Sequence, residues 1–251
     1  MIQTANIYDS QTQQYCHAMQ FYISHSNEIQ QCQRKLRQLI DSVSNPKLFM
    51  DVGAGEGRYT NLLLEKAKYT IALEPNPDLR IELQKRYPTL EIWPDMIADT
   101  NVAPASANFI LCSHVFYFIE PDNWLKTLDT LGSWLAKDGL LVVILARPKG
   151  TCMSICEHFY DRCLDLSLLA KDMQQKTNHD FEIILETLPV KITAPDLNTA
   201  YKIAEFLLNP PPSEYNLPSH KVIEDYIKKH CMTAQGEYQF SCDQYLLQLR
   251  A

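Results

Sequence analysis

Glycine is scarce in this chain, with seven among 251 residues, so a place where it gathers stands out. Long apolar runs are absent: no stretch of 18 or more such residues occurs, and nothing reads as a membrane-spanning helix. The amino-terminal residues lack the apolar core of a secretory signal, and the expectation is a soluble, cytoplasmic protein. Positive charge is also short. Lysine and arginine number 23 against 30 aspartates and glutamates, a net charge of −7, and no basic block stands out beyond Arg34, Lys35 and Arg37. A nucleic-acid partner normally needs a wider basic footprint, because phosphate neutralisation supplies much of its affinity, so DNA and RNA are disfavoured. Paired cysteine motifs are missing too. The eight cysteines (16, 32, 112, 152, 156, 163, 231 and 242) contain no C-x-x-C, in a chain too large to need disulfide staples. They are expected to be reduced, buried side chains, and the group Cys152, Cys156, His158 and Cys163 lacks the spacing of a metal site. Repeats and low-complexity tracts are absent apart from the run Pro210, Pro211, Pro212.

What glycine there is concentrates at one point. Gly53, Gly55 and Gly57 fall within five residues, directly after Leu48, Phe49 and Met50, an apolar run that reads as a buried strand. Glycine at a strand exit serves unusual backbone angles or the close approach of a ligand to the main chain. The stretch reads D-V-G-A-G-E-G over 51–57 and leads into Tyr59, Leu62, Leu63, Leu64 and Ala67, spaced for one helix face. Strand, glycine turn and helix make the first half of a nucleotide-binding βαβ unit. The dinucleotide fingerprint places its third glycine three residues after the second, where this chain has Arg58, so a nicotinamide enzyme is disfavoured. A second strand is predicted over Tyr69–Leu73, ending in Glu74 and Pro75. A carboxylate at that point can accept both hydroxyls of a ribose.

Asp51 with the glycine turn, and Glu74 at the second strand, resemble the S-adenosylmethionine signature of class I methyltransferases. Later segments follow the same order. A strand over 90–93 precedes Pro94, Asp95, Met96 and Ile97, similar to the family loop that flanks the adenine. A strand over 109–112 runs into Ser113, His114, Val115, Phe116, Tyr117 and Phe118, similar to the segment that lines the methionine and substrate pocket. A helix over 124–135, a turn at Lys137, Asp138 and Gly139, and a strand over 140–146 resemble the next helix, turn and fifth strand. The resemblance implies an α/β, Rossmann-like fold with a seven-stranded, mostly parallel sheet and an antiparallel carboxyl-terminal strand. It implies S-adenosyl-L-methionine as cofactor, bound at Asp51, Gly53, Ala54, Gly55, Gly57, Glu74, Pro75, Asp95, Met96 and Ser113.

Composition, at 46% hydrophobic and 21% charged residues, suits one large core, and a single domain over 1–251 is expected with its cofactor core at 46–147. Two helical regions lie outside that core. In residues 1–45, Tyr15, Met19, Tyr22 and Ile23 recur at helical spacing, followed by Ile29, Cys32, Leu36, Leu39 and Ile40. In residues 194–235, prolines at 195, 210, 211, 212 and 218 punctuate helices predicted over 198–208 and 219–230, with Asn198 and Ser219 as N-caps. Both regions are expected to form a lid, and a final strand is predicted over 238–249.

Tyr22, Ile23, Ser24, His25, Ser26, Asn27 and Glu28 resemble the histamine N-methyltransferase group, which carries an aromatic or apolar pair and then H-S-x-E at this distance from the glycine turn. The resemblance implies Glu28 as a carboxylate that contacts an amine, Tyr15 and Phe206 as an aromatic wall, and His114 at the place of a substrate-contacting glutamine. Met19 stands where that group has a wall phenylalanine, and Cys242 where it has a substrate-binding asparagine. Its tryptophans after the fifth strand are replaced by Thr151, Cys152 and Ile155. Tyr117 and Phe118 complete the expected surroundings of the amine. The function implied is in-line transfer of a methyl group to a nitrogen of a small, histamine-like amine or imidazole, with Glu28 and His114 as the acting residues. A protein or RNA methyltransferase, and a non-catalytic S-adenosylmethionine-binding protein, share the core motif and stand as alternatives.

Overall fold

The computed structural model describes residues 4–8, 12–161, 163–175, 181–209 and 216–251; the proline run at 210, 211 and 212 lies outside them. Two helices come first, α1 (Gln13–Ser24) and α2 (Glu28–Asp41). Strands and helices then alternate through β1 (Leu48–Val52), α3 (Thr60–Lys66), β2 (Tyr69–Leu73), α4 (Pro77–Arg86), β3 (Glu91–Trp93), β4 (Ala107–Ser113), α5 (Trp124–Trp134) and β5 (Leu135–Ala146). Next come α6 (Thr151–Tyr160), α7 (Leu166–Gln175), β6 (Glu182–Leu188) and β7 (Lys191–Ala194). The chain continues through α8 (Leu197–Leu207), α9 (His220–His230), β8 (Tyr238–Ser241) and β9 (Gln244–Arg250).

Two compact units emerge. The first combines Met1–Gln31, Ala146–Leu164 and Pro189–Asp243; the second combines Cys32–Leu145, Asp165–Leu188 and Gln244–Ala251. The helical region expected over 1–45 is therefore shared, with α1 and the first turn of α2 in the first unit and the rest of α2 in the second. The reason is the apolar stripe Cys32, Leu36, Leu39, Ile40 and Val43, which packs among Phe49, Phe109, Leu111 and Val142 of the second unit. Burying each such side chain contributes about 1.5–3 kcal/mol.

The second unit holds a seven-stranded sheet in the order β3-β2-β1-β4-β5-β9-β6. β1 runs parallel to β2 and β4, β2 to β3, and β4 to β5, whereas β6 and β9 pair antiparallel. This is the mostly parallel, Rossmann-like architecture expected. β4 is buried along most of its length, which is why its sequence reads as a continuous apolar run and not as an alternation. The turn expected at 137–139 is instead a bulge within the long strand β5. Ala107 pairs with Leu135 but Phe109 with Leu140, and Asp138 takes a φ of 61°. Ala251 braces it: its N–H donates to the Gly139 carbonyl and its carbonyl accepts from the Asp138 N–H, both at 3.1 Å.

In the first unit, α8 packs with α1, α6 and α9, and β7 and β8 form a separate antiparallel pair. The strand expected over 238–249 is two strands, because Val190 holds the chain at the junction. The Cys242 N–H donates to the Val190 carbonyl at 2.9 Å, and Asp243 Oδ1 accepts from the Val190 N–H at 3.2 Å. The cap of α8 is Asp196 and not Asn198, since the Asp196 carboxylate accepts from the Thr199 N–H at 2.8 Å. Ser219 does occupy the cap position of α9, in extended conformation and without a side-chain cap bond.

Candidate active site

The strand order places β1 between β2 and β4, so the chain's progress across the sheet reverses there. Open α/β sheets bind ligands outside the carboxyl ends of the strands at such a point. Gly53 and Gly55 lie at that end of β1, with φ of 69° and 57°. A Cβ on Gly53 would come within 2.3 Å of Val115 Cγ2, so this position needs glycine for space as well as for angle. A Cβ on Gly55 would meet nothing within 4 Å among the described residues, which leaves the main chain open to another molecule on that side. Gly57 is enclosed by Leu83 and Tyr87. The Gly53 and Ala54 N–H groups both donate to the Leu73 carbonyl, at 2.8 and 3.1 Å, and fasten the turn to the end of β2.

Glu74, only 5% exposed, accepts from the Gly55 N–H at 2.7 Å on Oε2 and from the Asn76 N–H at 2.9 Å on Oε1. Each oxygen can accept again. Burial pushes this carboxyl above its ordinary value, opposed by the two N–H groups and by Arg80. Asp51 is likewise buried, and its Oδ2 accepts from the Thr60 hydroxyl at 2.5 Å, joining β1 to the first residue of α3. Burial raises it to about 6, opposed by Thr60 and reinforced by the negative charge of Glu74. Thr60 is a supporting residue that the helical spacing alone did not single out.

The remaining positions expected to contact the cofactor differ in character. Ala54 is half-buried, whereas Pro75, Asp95 and Met96 are exposed, the last at 56%. At the end of β4, the Ser113 hydroxyl is shielded from solvent yet has no hydrogen-bond partner among the described residues, so a bound polar group can satisfy it. His114 follows with a φ of 60°, a conformation that costs a non-glycine residue about 1–3 kcal/mol and concentrates at functional sites. Its N–H donates to the Ile144 carbonyl at 2.9 Å, and its ring stacks on Tyr117 with centroids 5.8 Å apart. Tyr117 is half-buried and Phe118 exposed.

In the first unit, four residues named from the resemblance form one connected group. Phe206 of α8 lies with its ring centroid 5.6 Å from Tyr15 and 5.0 Å from Tyr22, both on α1. The Tyr22 hydroxyl is 3.3 Å from Glu28 Oε2 and 3.3 Å from Cys242 Sγ. Tyr22, Glu28 and Cys242 are all buried, and Met19 is half-buried one turn beyond Tyr15. Tyr22 is the hub, although its sequence context marked it only as part of a helix face and of the aromatic or apolar pair before H-S-x-E. Burial, with Cys242, Glu28 and Cys152 nearby, drives the Tyr22 phenol well above its ordinary value. Cys152 is raised in the same way, by burial and by its bond to Cys242.

Among the described residues none of the eight cysteines is in a disulfide, and six are buried as expected. Cys163 is exposed and Cys16 half-buried, because the first lies in coil beyond α6 and the second on a partly exposed stretch of α1. Among the described residues, no group of three or more His, Cys, Asp or Glu side chains is arranged to hold a metal ion.

The second unit's residues fit S-adenosylmethionine on three observations. The Glu74 carboxylate has capacity for the ribose hydroxyls, the open side of Gly55 admits a close neighbour, and the Ser113 hydroxyl is sheltered and unsatisfied.

A family model described as a methyltransferase domain matches residues 24–179. An uncharacterized methyltransferase from Exiguobacterium sibiricum is 23% identical over 120 residues, covering 47% of this chain and 56% of that protein. The chain thus spans little more than half the length of this curated relative. Among solved structures, the YcgJ protein from Bacillus subtilis matches with a TM-score of 0.62 at 11% identity, over 85% of this chain and 96% of that one. The N-methyltransferase NodS from Bradyrhizobium japonicum, in complex with S-adenosyl-L-homocysteine, matches with a TM-score of 0.52 at 13% identity, over 86% of each chain. At these identities the likeness is one of fold.

Proposed function

The chain belongs to the methyltransferase-domain family, and from that premise we propose that it is an S-adenosylmethionine-dependent methyltransferase acting on a nitrogen of a small amine or imidazole-type acceptor. The observation that carries the acceptor class is the buried Glu28 carboxylate, bonded to Tyr22 and continuous with the rings of Tyr22, Phe206 and Tyr15. A buried carboxylate bordered by aromatic faces suits the cationic end of a small amine, by charge pairing and cation–π contact. The net charge of −7 favours a cation over a polyanion in the same direction.

S-adenosylmethionine supplies an activated sulfonium methyl, so the protein's task is alignment, exclusion of water and keeping the accepting nitrogen unprotonated. Glu74 and the open main chain at Gly55 hold the donor in this assignment, with Ser113 satisfying a polar group of it. Glu28 anchors the cationic end of the acceptor, and Tyr15, Met19, Phe206 and Cys242 shape its surroundings. His114, fixed in a strained backbone and stacked on Tyr117, orients the accepting nitrogen through its ring, and Phe118 adds apolar cover. Orientation of this kind contributes up to about 7–11 kcal/mol in well-aligned reactions.

Transfer of labelled methyl from S-adenosylmethionine to a panel of biogenic amines and imidazoles tests the reading, with Glu28→Gln beside the wild type. The expected result is transfer to at least one amine, with KM raised roughly tenfold or more in the variant, since a bond to a charged group contributes about 1.5–3 kcal/mol. Unchanged KM for every accepted amine removes Glu28 from the site. Transfer confined to protein or RNA in a cell extract overturns the small-molecule reading.

A further inference from the structure

We propose that Tyr22 is a positioning residue for the acceptor site, its phenol hydroxyl donating to Glu28 Oε2 and holding that carboxylate toward the acceptor's cationic end. The proposal rests on the assignment of Glu28 as the amine anchor. Three observations support it. The hydroxyl has two neighbours at 3.3 Å, Glu28 Oε2 and Cys242 Sγ. A carboxylate oxygen can only accept, so the phenol proton belongs on the Glu28 side, and the Cys242 thiol can donate to the phenol oxygen from the other. Cys152 bonds to Cys242 in turn, which makes a chain of buried polar groups ending on the carboxylate.

The ring itself is fixed. Tyr22 lies 5.0 Å from Phe206 at an interplanar angle of 38° and is 7% exposed, so the hydroxyl has little freedom to turn elsewhere. Burial keeps the phenol and the Cys152 thiol protonated across the working pH range, which preserves the direction of donation. An apolar ring would serve an aromatic wall equally well. The oxygen is therefore the informative part of this side chain, and Tyr22→Phe removes it while leaving the ring in place.

Binding of phenethylammonium and of histamine, measured by calorimetry in the presence of S-adenosylhomocysteine from pH 5 to 9, tests the role on the wild type, Tyr22→Phe and Glu28→Gln. Tyr22→Phe is expected to weaken at least one amine about tenfold, because the buried carboxylate loses a donor. Its acid limb is expected to move to higher pH, since that donor favours the ionised form of Glu28. Affinity for S-adenosylhomocysteine and melting temperature should stay near wild type. Wild-type affinity and an unmoved acid limb in Tyr22→Phe, with Glu28→Gln weakened, overturn the role of Tyr22 and leave the amine anchor standing. A lowered melting temperature with weakened S-adenosylhomocysteine binding makes Tyr22 a purely structural residue. No amine binding by the wild type, or full binding by Glu28→Gln, overturns the anchor and the role of Tyr22 together.

Discussion

Replacing Gly55 by alanine separates the glycine turn's structural role from its proposed ligand role. The backbone there has a φ of 57°, and an L-residue in that region costs roughly 1–2 kcal/mol. Nothing lies within 4 Å of the added Cβ, so no steric cost is added, and the Gly55 N–H can still donate to Glu74. For a chain of this size, about 1 kcal/mol corresponds to about 2–4 °C of melting temperature, and Gly55→Ala should lower it by about 2–8 °C. Gly53→Ala makes the contrast. Its φ of 69° carries a similar cost, and its Cβ would also stand 2.3 Å from Val115 Cγ2, a close overlap that adds about 1–3 kcal/mol. Gly53→Ala should therefore be the less stable variant. For ligand binding, the proposed assignment puts the cofactor against bare main chain on the open side of Gly55, where a methyl group would obstruct it. Calorimetry with S-adenosylhomocysteine should show affinity reduced at least about tenfold in Gly55→Ala, equivalent to about 1.4 kcal/mol. Wild-type affinity in Gly55→Ala would refute the assignment of this turn to the cofactor. Melting as low as that of Gly53→Ala would refute the reading of Gly55 as sterically open.

Two further outcomes follow from the same unit. Asp51 rises to about 6 in the folded protein from an ordinary value of about 3.9, so the folded state holds its proton more tightly than the unfolded state. Its ionisation therefore costs stability that is absent below about pH 4, grows through the interval to about pH 6 and is constant above, on the order of 2–3 kcal/mol. Asp51→Asn can still accept from Thr60, and thermal melts across pH should show it more stable than wild type at pH 7 and equal to it below about pH 4; equality at pH 7 would contradict the cause given. His114→Gly should relieve the positive φ and raise stability by about 1 kcal/mol while reducing methyl transfer at least about tenfold. Unchanged turnover in that variant would remove the imidazole from the site.

The strand, glycine turn and helix from β1 to β2 were legible because their parts are local. Asp51, the three glycines and Glu74 fall within 24 residues of chain, and strand, turn and helix signals surround them. The supporting bonds are nearly as local: Thr60 is nine residues from Asp51, and Gly55 is 19 from Glu74. Departures came where distant segments decide the geometry. The pattern over 238–249 suits one strand, but hydrogen bonds from Val190 break it at Cys242 and Asp243. The spacing over 135–146 suits a turn and then a strand, but Ala251 braces a bulge. In α1 the alternation of apolar and polar residues gives Tyr22 the same meaning as phenylalanine. Only the fold brings Cys242, 220 residues away in sequence, to its hydroxyl.

The same dependence on sequence distance sorts the buried carboxylates. Glu205 on α8 is 3% exposed, beside Phe206, and by composition alone would compete with Glu28 for the role of amine anchor. Its hydrogen bonds give it a structural task. Its Oε1 accepts from the Asn6 N–H at 2.8 Å, the Asn6 amide at 3.0 Å and the Tyr201 hydroxyl at 3.0 Å, and its Oε2 accepts from the Tyr8 hydroxyl at 2.7 Å. Three of those donors come from residues 197 or 199 positions away, so the carboxylate fastens residues 4–8 to α8. Three donors saturate Oε1 and one is bound to Oε2, so Glu205 has no pair of open oxygens to offer a ligand. Glu74, with one main-chain N–H on each oxygen, retains the capacity that a diol requires. Burial of an acidic residue therefore marks a candidate, and the count of donors already bound to it separates the carboxylate that builds the fold from the one that can serve a ligand.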